Sequence, residues 1–412
     1  MALGAPAAAS AWTTLATGVQ PGVVPAALVT QAGTELVSFE SPVAGTISVS
    51  RNRAAAKVVV ANDPVPGQTQ LVQQPSGAVQ LYFPYAQGIG RLTSTDDGAT
   101  WTGPVPTGSR DTGGVSGAAV APDGTPYFAQ WHTGAVNIYR GLNGDSSANT
   151  YTPCCGYDVS VAVDSTGLVQ LAFFSNATPS GAFVYQALGS NLAPTASTPL
   201  APSVEHPPRV PLVSDQSGNT FMAWAPGNPT ATAFTVVPFR SGQPAGDGVT
   251  FHMAFGGGEP HMALSVDPVN RLWAVFTGNG AVHAARSRSQ GQHFGATVAA
   301  SVPGTAYQVS AVGLPGSPGT VDVIVNSGSD LVEQAFQPGL SVQLSKKAHK
   351  VGKKIVTTWY AKALDDGFGV AGATFTVAGH AVLGDATGKA KVPAGAGRAS
   401  APGYVAASFK VP

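Results

Sequence analysis

The sequence predicts an all-β protein built from many short antiparallel strands, and three observations carry that prediction. Gly (51) and Pro (33) together make up about a fifth of the 412 residues, the turn-former content of short strands joined by tight turns. Val, Thr and Ala are abundant, and no long stretch has the Glu/Lys/Leu composition of an exposed helix. A seven-residue pattern opening on a turn residue recurs along most of the chain. The apolar share, 43%, is too high for a disordered chain. No apolar run reaches the ~18 residues that a membrane-spanning helix needs.

The repeat sets the architecture. "GTELVSF" starts at Gly33, "GAVQLYF" at Gly77, "GTPYFAQ" at Gly124, "GLVQLAF" at Gly167, "GNTFMAW" at Gly218, "NRLWAVF" at Asn270 and "GTVDVIV" at Gly319. Successive starts are 44, 47, 43, 51, 52 and 49 residues apart. Bulky apolar residues such as Leu81 and Phe83, or Leu171 and Phe173, alternate within a copy, which is the period-two burial of a strand with one face on a core. Another strand precedes each turn and another follows. Three or four strands per copy, in seven copies, predict a six- or seven-bladed β-propeller over residues 15–338, the first copy being the weakest.

A second turn recurs in register. Ser94 opens "STDDGATW" 17 residues after Gly77, and Ser287 opens "SRSQGQHF" 17 residues after Asn270. Both follow Ser/Thr-x-Asp-x-Gly-x-x-aromatic through Ser94, Asp96, Gly98 and Trp101, and through Ser287, Gly291 and Phe294, with Ser289 in the Asp place. These stretches resemble the Asp-box (BNR-repeat) turns of the sialidase-like propeller superfamily. The resemblance implies a structural fastener between the third and fourth strands of a blade, away from any site. Its Asp would accept backbone N–H groups, its Gly would take a conformation closed to other residues, and its aromatic ring would pack between strands.

Candidate site residues come from the other face, where loops entering the innermost strands meet around the channel. Six residues before the turn Asp of four consecutive copies (Asp123, Asp164, Asp215 and Asp267) stand Gly117, Asp158, Arg209 and His261. Three ionisable side chains in one structural slot are hard to explain by packing. Tyr157, Glu205, His206, Glu259 and Tyr307 occupy the same class of loop, with Arg110, Asp111 and His132 in neighbouring ones. Hydration of a wet channel mouth is the alternative explanation. Cys154 and Cys155 are adjacent, so a disulfide between them would close a strained ring; two reduced thiols are the alternative.

The sialidase resemblance extends to part of this face. "PRVP" places Arg209 where that family's first arginine grips a substrate carboxylate, although Pro208 replaces the family's aromatic residue. "GEPHMALSVD" and "GTAYQVSAV" resemble the segments carrying the family's glutamate and tyrosine nucleophile, which implies Glu259 and Tyr307, with Asp158 as general acid. The pattern departs from the family in lacking a clear triad of arginines and in the order of Asp158 and Arg209 along the chain.

The C-terminal part differs in charge. Residues 1–339 hold 11 basic and 18 acidic side chains, whereas residues 340–412 hold 10 and 3, and nine of the ten lysines lie there. "GVAGATFTVAG", "DATGKAKV" and "APGYVAASFKV" resemble the immunoglobulin-like and prealbumin-like β-sandwich modules of exported bacterial proteins, placing a small β-sandwich domain at 340–412. Its basic balance implies either a solvated face or association with an acidic envelope. Residues 1–14 read as the remnant of a secretory signal and a tail, so a secreted bacterial protein is expected.

Scattered histidines and "CC" lack zinc-ligand spacing, and no phosphate-binding loop precedes a helix, so neither metal nor cofactor is expected. An acidic propeller argues against nucleic acid. The favoured reading is a monomeric exported propeller that recognises a glycan or cell-surface ligand at the channel mouth without catalysis. A sialidase-like glycoside hydrolase with a Tyr nucleophile and a purely structural surface protein are the alternatives.

Overall fold

The computed structural model describes residues 11–41, 45–61, 67–85, 88–109, 115–132, 135–151, 156–177, 181–200, 209–225, 231–252, 261–316 and 318–412. Among these residues every regular element is a β-strand, and no helix is long and apolar enough to cross a membrane. Up to Phe336 the strands form seven antiparallel sheets of four, numbered here 1 to 7 in chain order; the outer strand of sheet 5 is broken into Gln243–Pro244 and Val249–His252. All seven copies of the repeat form the second strand of a sheet. The recurring glycine, or Asn270, sits in the turn before that strand with φ between +68° and +89°. That is left-handed backbone, which glycine adopts without steric cost and Asn tolerates. The preceding Asp fastens the turn: Asp164 Oδ1 accepts from the N–H groups of Thr166 and Leu168, and Asp215 and Asp267 repeat the arrangement.

The innermost strands, from Ala26–Val29 in sheet 1 to Ala306–Leu314 in sheet 7, contact their neighbours in order, and the last contacts the first. Apolar clusters lie between the sheets. One joins sheets 1 and 2 through Leu36, Ile47 and Phe83, and others follow around the ring to Val37, Phe39 and Ile324, which join sheets 7 and 1. This is a closed β-propeller. Sheet 1 has four strands of its own, and a further strand, Thr13–Thr17, completes sheet 7 by pairing with Asp330–Glu333. Trp12 secures that strand, donating its indole N–H to the Ser301 carbonyl at 2.7 Å.

The turn from Ser94 to Trp101 joins the third and fourth strands of sheet 2, Gly88–Ser94 and Thr102–Pro106. Ser94 Oγ donates to Asp96 Oδ1 and accepts from Gly98 N, each at 2.8 Å, while Asp96 accepts from Thr100 N at 2.9 Å and Thr100 Oγ1 at 2.6 Å. Gly98 has φ +78°, and a Cβ there would lie 2.5 Å from Leu36 of sheet 1. Gly291 of sheet 6 stands in the same relation to Phe221 of sheet 5, at 2.8 Å. Leu36 and Phe221 are each three residues past a repeat glycine, so both turns lock onto the preceding sheet at one register. Gly98→Ala is expected to cost about 2 kcal/mol through strain and overpacking. Gly77→Ala, with nothing within 4 Å of the new Cβ, should cost visibly less when both variants are unfolded in urea.

Beyond Gly339 two four-stranded sheets face each other across a core that includes Ala361, Ala363, Phe375, Val377, Ala399 and Val411. This small β-sandwich docks on sheet 6 through the tip of a two-residue hairpin, Asp366–Gly367, where both residues have positive φ and Asp365 pairs with Phe368. Asp366 Oδ2 accepts from Arg288 N (2.7 Å), Ser289 N (3.0 Å) and Ser289 Oγ (2.8 Å). The carboxylate absent from the second fastening turn, where Ser289 replaces Asp, is therefore supplied by the C-terminal domain. Beside it Arg286, 2% exposed, pairs with the fully buried Asp365 and donates to the Pro318 carbonyl. Its guanidinium carbon lies 5.5 Å from the Trp273 ring centre.

Candidate functional site

Small residues line much of the channel and let the innermost strands approach one another closely. A cavity of about 150 Å³ is bounded by residues of all seven innermost strands, among them Ala27, Ala118, Ala263 and Ala311. The slot residue Gly117 is explained by packing: a Cβ there would lie 2.7 Å from Val161 N of the neighbouring sheet. Channel-lining Gln70 and Ser310 bridge adjacent sheets, Gln70 donating to Ser116 O at 3.0 Å and Ser310 to Pro25 O. Arg209 is the charged side chain among the described lining residues. Burial pushes its pKa down to about 10, against the opposing field of Asp158. Asp158, 8% exposed, comes from a bulge in the strand Gly156–Val163 and has φ +54°, an uncommon conformation for a residue with a Cβ. Asp158 thus lies close enough for its charge to act on Arg209.

His261 and Tyr307 meet elsewhere. They line a cavity of about 600 Å³ between sheets 6 and 7, with Thr277–Ala281 and Gly304–Gln308 as walls and Pro21–Gly22 at one side. The volume falls within the range of small-molecule sites. Tyr307 is 38% exposed, and His261 is set by Thr277, whose Oγ1 accepts from the His261 backbone N–H at 3.2 Å. Burial lowers the His261 pKa to about 4, so the ring is neutral at physiological pH, and its buried Nδ1 has no hydrogen-bond partner. A neutral imidazole and an exposed phenol suit stacking and hydrogen bonding to a ring-shaped polar ligand.

Arg110, Asp111, Cys154, Cys155, Glu205, His206 and Glu259 lie outside the described residues. Of His132 and Tyr157 only the backbone is described, in the strands Pro126–His132 and Gly156–Val163.

Sequence reasoning missed one charged cluster. Glu35 of sheet 1 and Asp322 and Glu333 of sheet 7 are buried, with carboxylate oxygens within 4.8 Å of one another. The spacing is one that a cation could bridge, and Arg53 supplies positive charge there. It pairs with Asp322, with Glu333 at 2.7 Å and with Glu35 at 3.6 Å. Burial and mutual repulsion raise the pKa values of Glu35 and Glu333. The available signal was an Asp inside the otherwise apolar "VDVIV".

No protein-family model matches this chain, and no curated protein matches it. Solved structures do. A streptogramin B lyase superposes with a TM-score of 0.52 at 15% identity, covering 78% of this chain and 96% of that one. A catalytically inactive virginiamycin B lyase from Staphylococcus aureus, solved with quinupristin, gives 0.52 at 13%, covering 79% and 98%. Kuenenia stuttgartiensis hydrazine synthase gives 0.51 at 12%, covering 78% and 98%. The likeness is one of fold. The chain shares the β-propeller architecture of these proteins.

Proposed function

We propose that this propeller is an exported recognition protein that binds a glycan or other cell-surface ligand at the channel mouth without turning it over. The observation that carries this reading is Arg209, a cation set in a channel wall of small uncharged residues with Asp158 as its nearby countercharge. Such a group selects a carboxylate or similar anion by charge-assisted hydrogen bonds. The channel admits only a small substituent, while the wider cavity of His261 and Tyr307 has room for a ring. The low pKa of His261 disfavours it as a general base near neutrality.

The fastening turn at Ser94–Trp101 has the strand context that the Asp-box resemblance implies, which supports placing the chain in that superfamily. The experiment is a glycan array followed by titration of the best binder. Wild type is expected to bind acidic glycans and release no sugar from a fluorogenic sialoside. Arg209→Ala is expected to weaken binding at least tenfold, about 1.4 kcal/mol, with a folded circular dichroism spectrum certifying the variant. Turnover abolished by Tyr307→Phe would replace this reading with the hydrolase. Binding unchanged in Arg209→Ala would remove its basis.

A further inference from the structure

The most concentrated positive charge on the molecule lies far from the channel in sequence, on one hairpin of the β-sandwich. Strands Ser341–Val351 and Lys354–Asp365 pair along their whole length, and the short strand Lys389–Val392 joins them only at Trp359–Lys362. Residues 345–357 therefore form a two-stranded arm, and each of them is exposed. From Ser345 to the turn at Gly352 the arm is about 20 Å long. It carries Lys346, Lys347, Lys350, Lys353, Lys354 and His349, and no acidic residue.

The outer half of the arm mixes cationic and aliphatic side chains, Lys354 pairing with Val351 and Lys350 with Ile355. Its tip presents aliphatic surface: Ile355 is 75% exposed, Val351 55% and Val356 41%. Lysines flank these residues on both faces, because Lys346 and Lys350 alternate with Lys347 along the strand. At the base are Trp359 and Tyr360, with Lys346 over the first ring at 5.8 Å and Lys389 over the second at 4.8 Å. Lysines alone would serve to protect an exposed sheet edge. They do not account for three bare aliphatic side chains at the tip.

We propose that this arm docks the protein on an anionic lipid bilayer, the aliphatic tip entering the interface and the lysines meeting the headgroups. Exposed aliphatic side chains interleaved with lysines suit such a surface, the former entering the interface while the latter reach the anionic headgroups. A soluble polyanion would engage the lysines equally well but gains nothing from Ile355 or Val351, so the bilayer is the occupant that uses both kinds of side chain. The inference is independent of the ligand read at the channel.

The test is co-sedimentation of the full-length protein with phosphatidylcholine vesicles containing ~30% phosphatidylglycerol at about 0.1 M salt, alongside heparin affinity chromatography. Wild type is expected to bind the anionic vesicles and to leave neutral ones unbound. Val351→Ser with Ile355→Ser should lower vesicle partitioning at least about tenfold while heparin retention stays the same. Lys350→Glu with Lys354→Glu should abolish vesicle binding and weaken heparin retention, and Arg209→Ala should leave vesicle binding unchanged. All these arm residues are exposed, so an unchanged circular dichroism spectrum and melting temperature certify folding. Absence of wild-type vesicle binding overturns the proposal. Vesicle binding that survives the serine variant but follows the lysines would assign the arm to polyanions instead.

Discussion

Arg286→Met is expected to undock the C-terminal β-sandwich and destabilise the protein by about 3–5 kcal/mol, the usual cost of leaving one member of a buried ion pair without its partner. Asp365 is fully buried and would keep only Tyr404 Oη at 3.2 Å and Arg288 at 3.6 Å. Trp273 would lose the guanidinium beside it as well. Calorimetry gives the readout: one dominant transition in wild type should split into a propeller transition and an earlier one for the sandwich. Asp366→Ala should produce a milder form of the same change, since it deprives the Ser287–Gly291 turn of its borrowed carboxylate but leaves the pair intact. A single transition within a degree of wild type for Arg286→Met would show that the domains are held by something else.

The second large effect is expected at Arg53. Its removal leaves Glu35, Asp322 and Glu333 facing one another in the interface between sheets 1 and 7, and Arg53→Ala should cost about 3 kcal/mol near neutral pH. The loss should shrink in acid, where the carboxyls escape repulsion by taking protons. Wild type should show the same sign. Burial first, then Asp322 and Glu333, push Glu35 up to about 9, and burial with Asp322 pushes Glu333 up to about 7, from 4.5. The folded chain then holds protons that the unfolded chain has released, so stability falls as pH rises from about 4.5 towards 9. Glu35→Gln, which mimics the protonated form, should flatten that slope and be more stable than wild type at pH ~8. Urea unfolding at several pH values measures both, and stability that rises across this window would refute the assignment.

What could be read from the sequence was what is local. The repeat glycines announce themselves because a left-handed turn and period-two burial are properties of seven consecutive residues, and all seven copies form the same strand of their sheet. The slot containing Asp158, Arg209 and His261 was likewise found by counting from a turn. Which cavity each side chain enters was not, because that depends on neighbouring sheets: Arg209 faces the channel, while His261 shares a wall with Tyr307. Ser289 looked like a degenerate copy of Asp96, and nothing nearby shows that Asp366, 77 residues on, completes it. The Glu35 cluster was invisible for the same reason, since it assembles only when the first sheet meets the last.

The strand Thr13–Thr17 has a bearing on how the molecule is made. Its partner Asp330–Glu333 leaves the ribosome more than 310 residues after it. Through that interval the wheel stays unlatched, with a free edge at either end seeking a mate. A neighbouring nascent chain can offer the same edge, so crowded synthesis favours intertwined pairs, and slowing initiation should raise the yield of correctly closed single molecules.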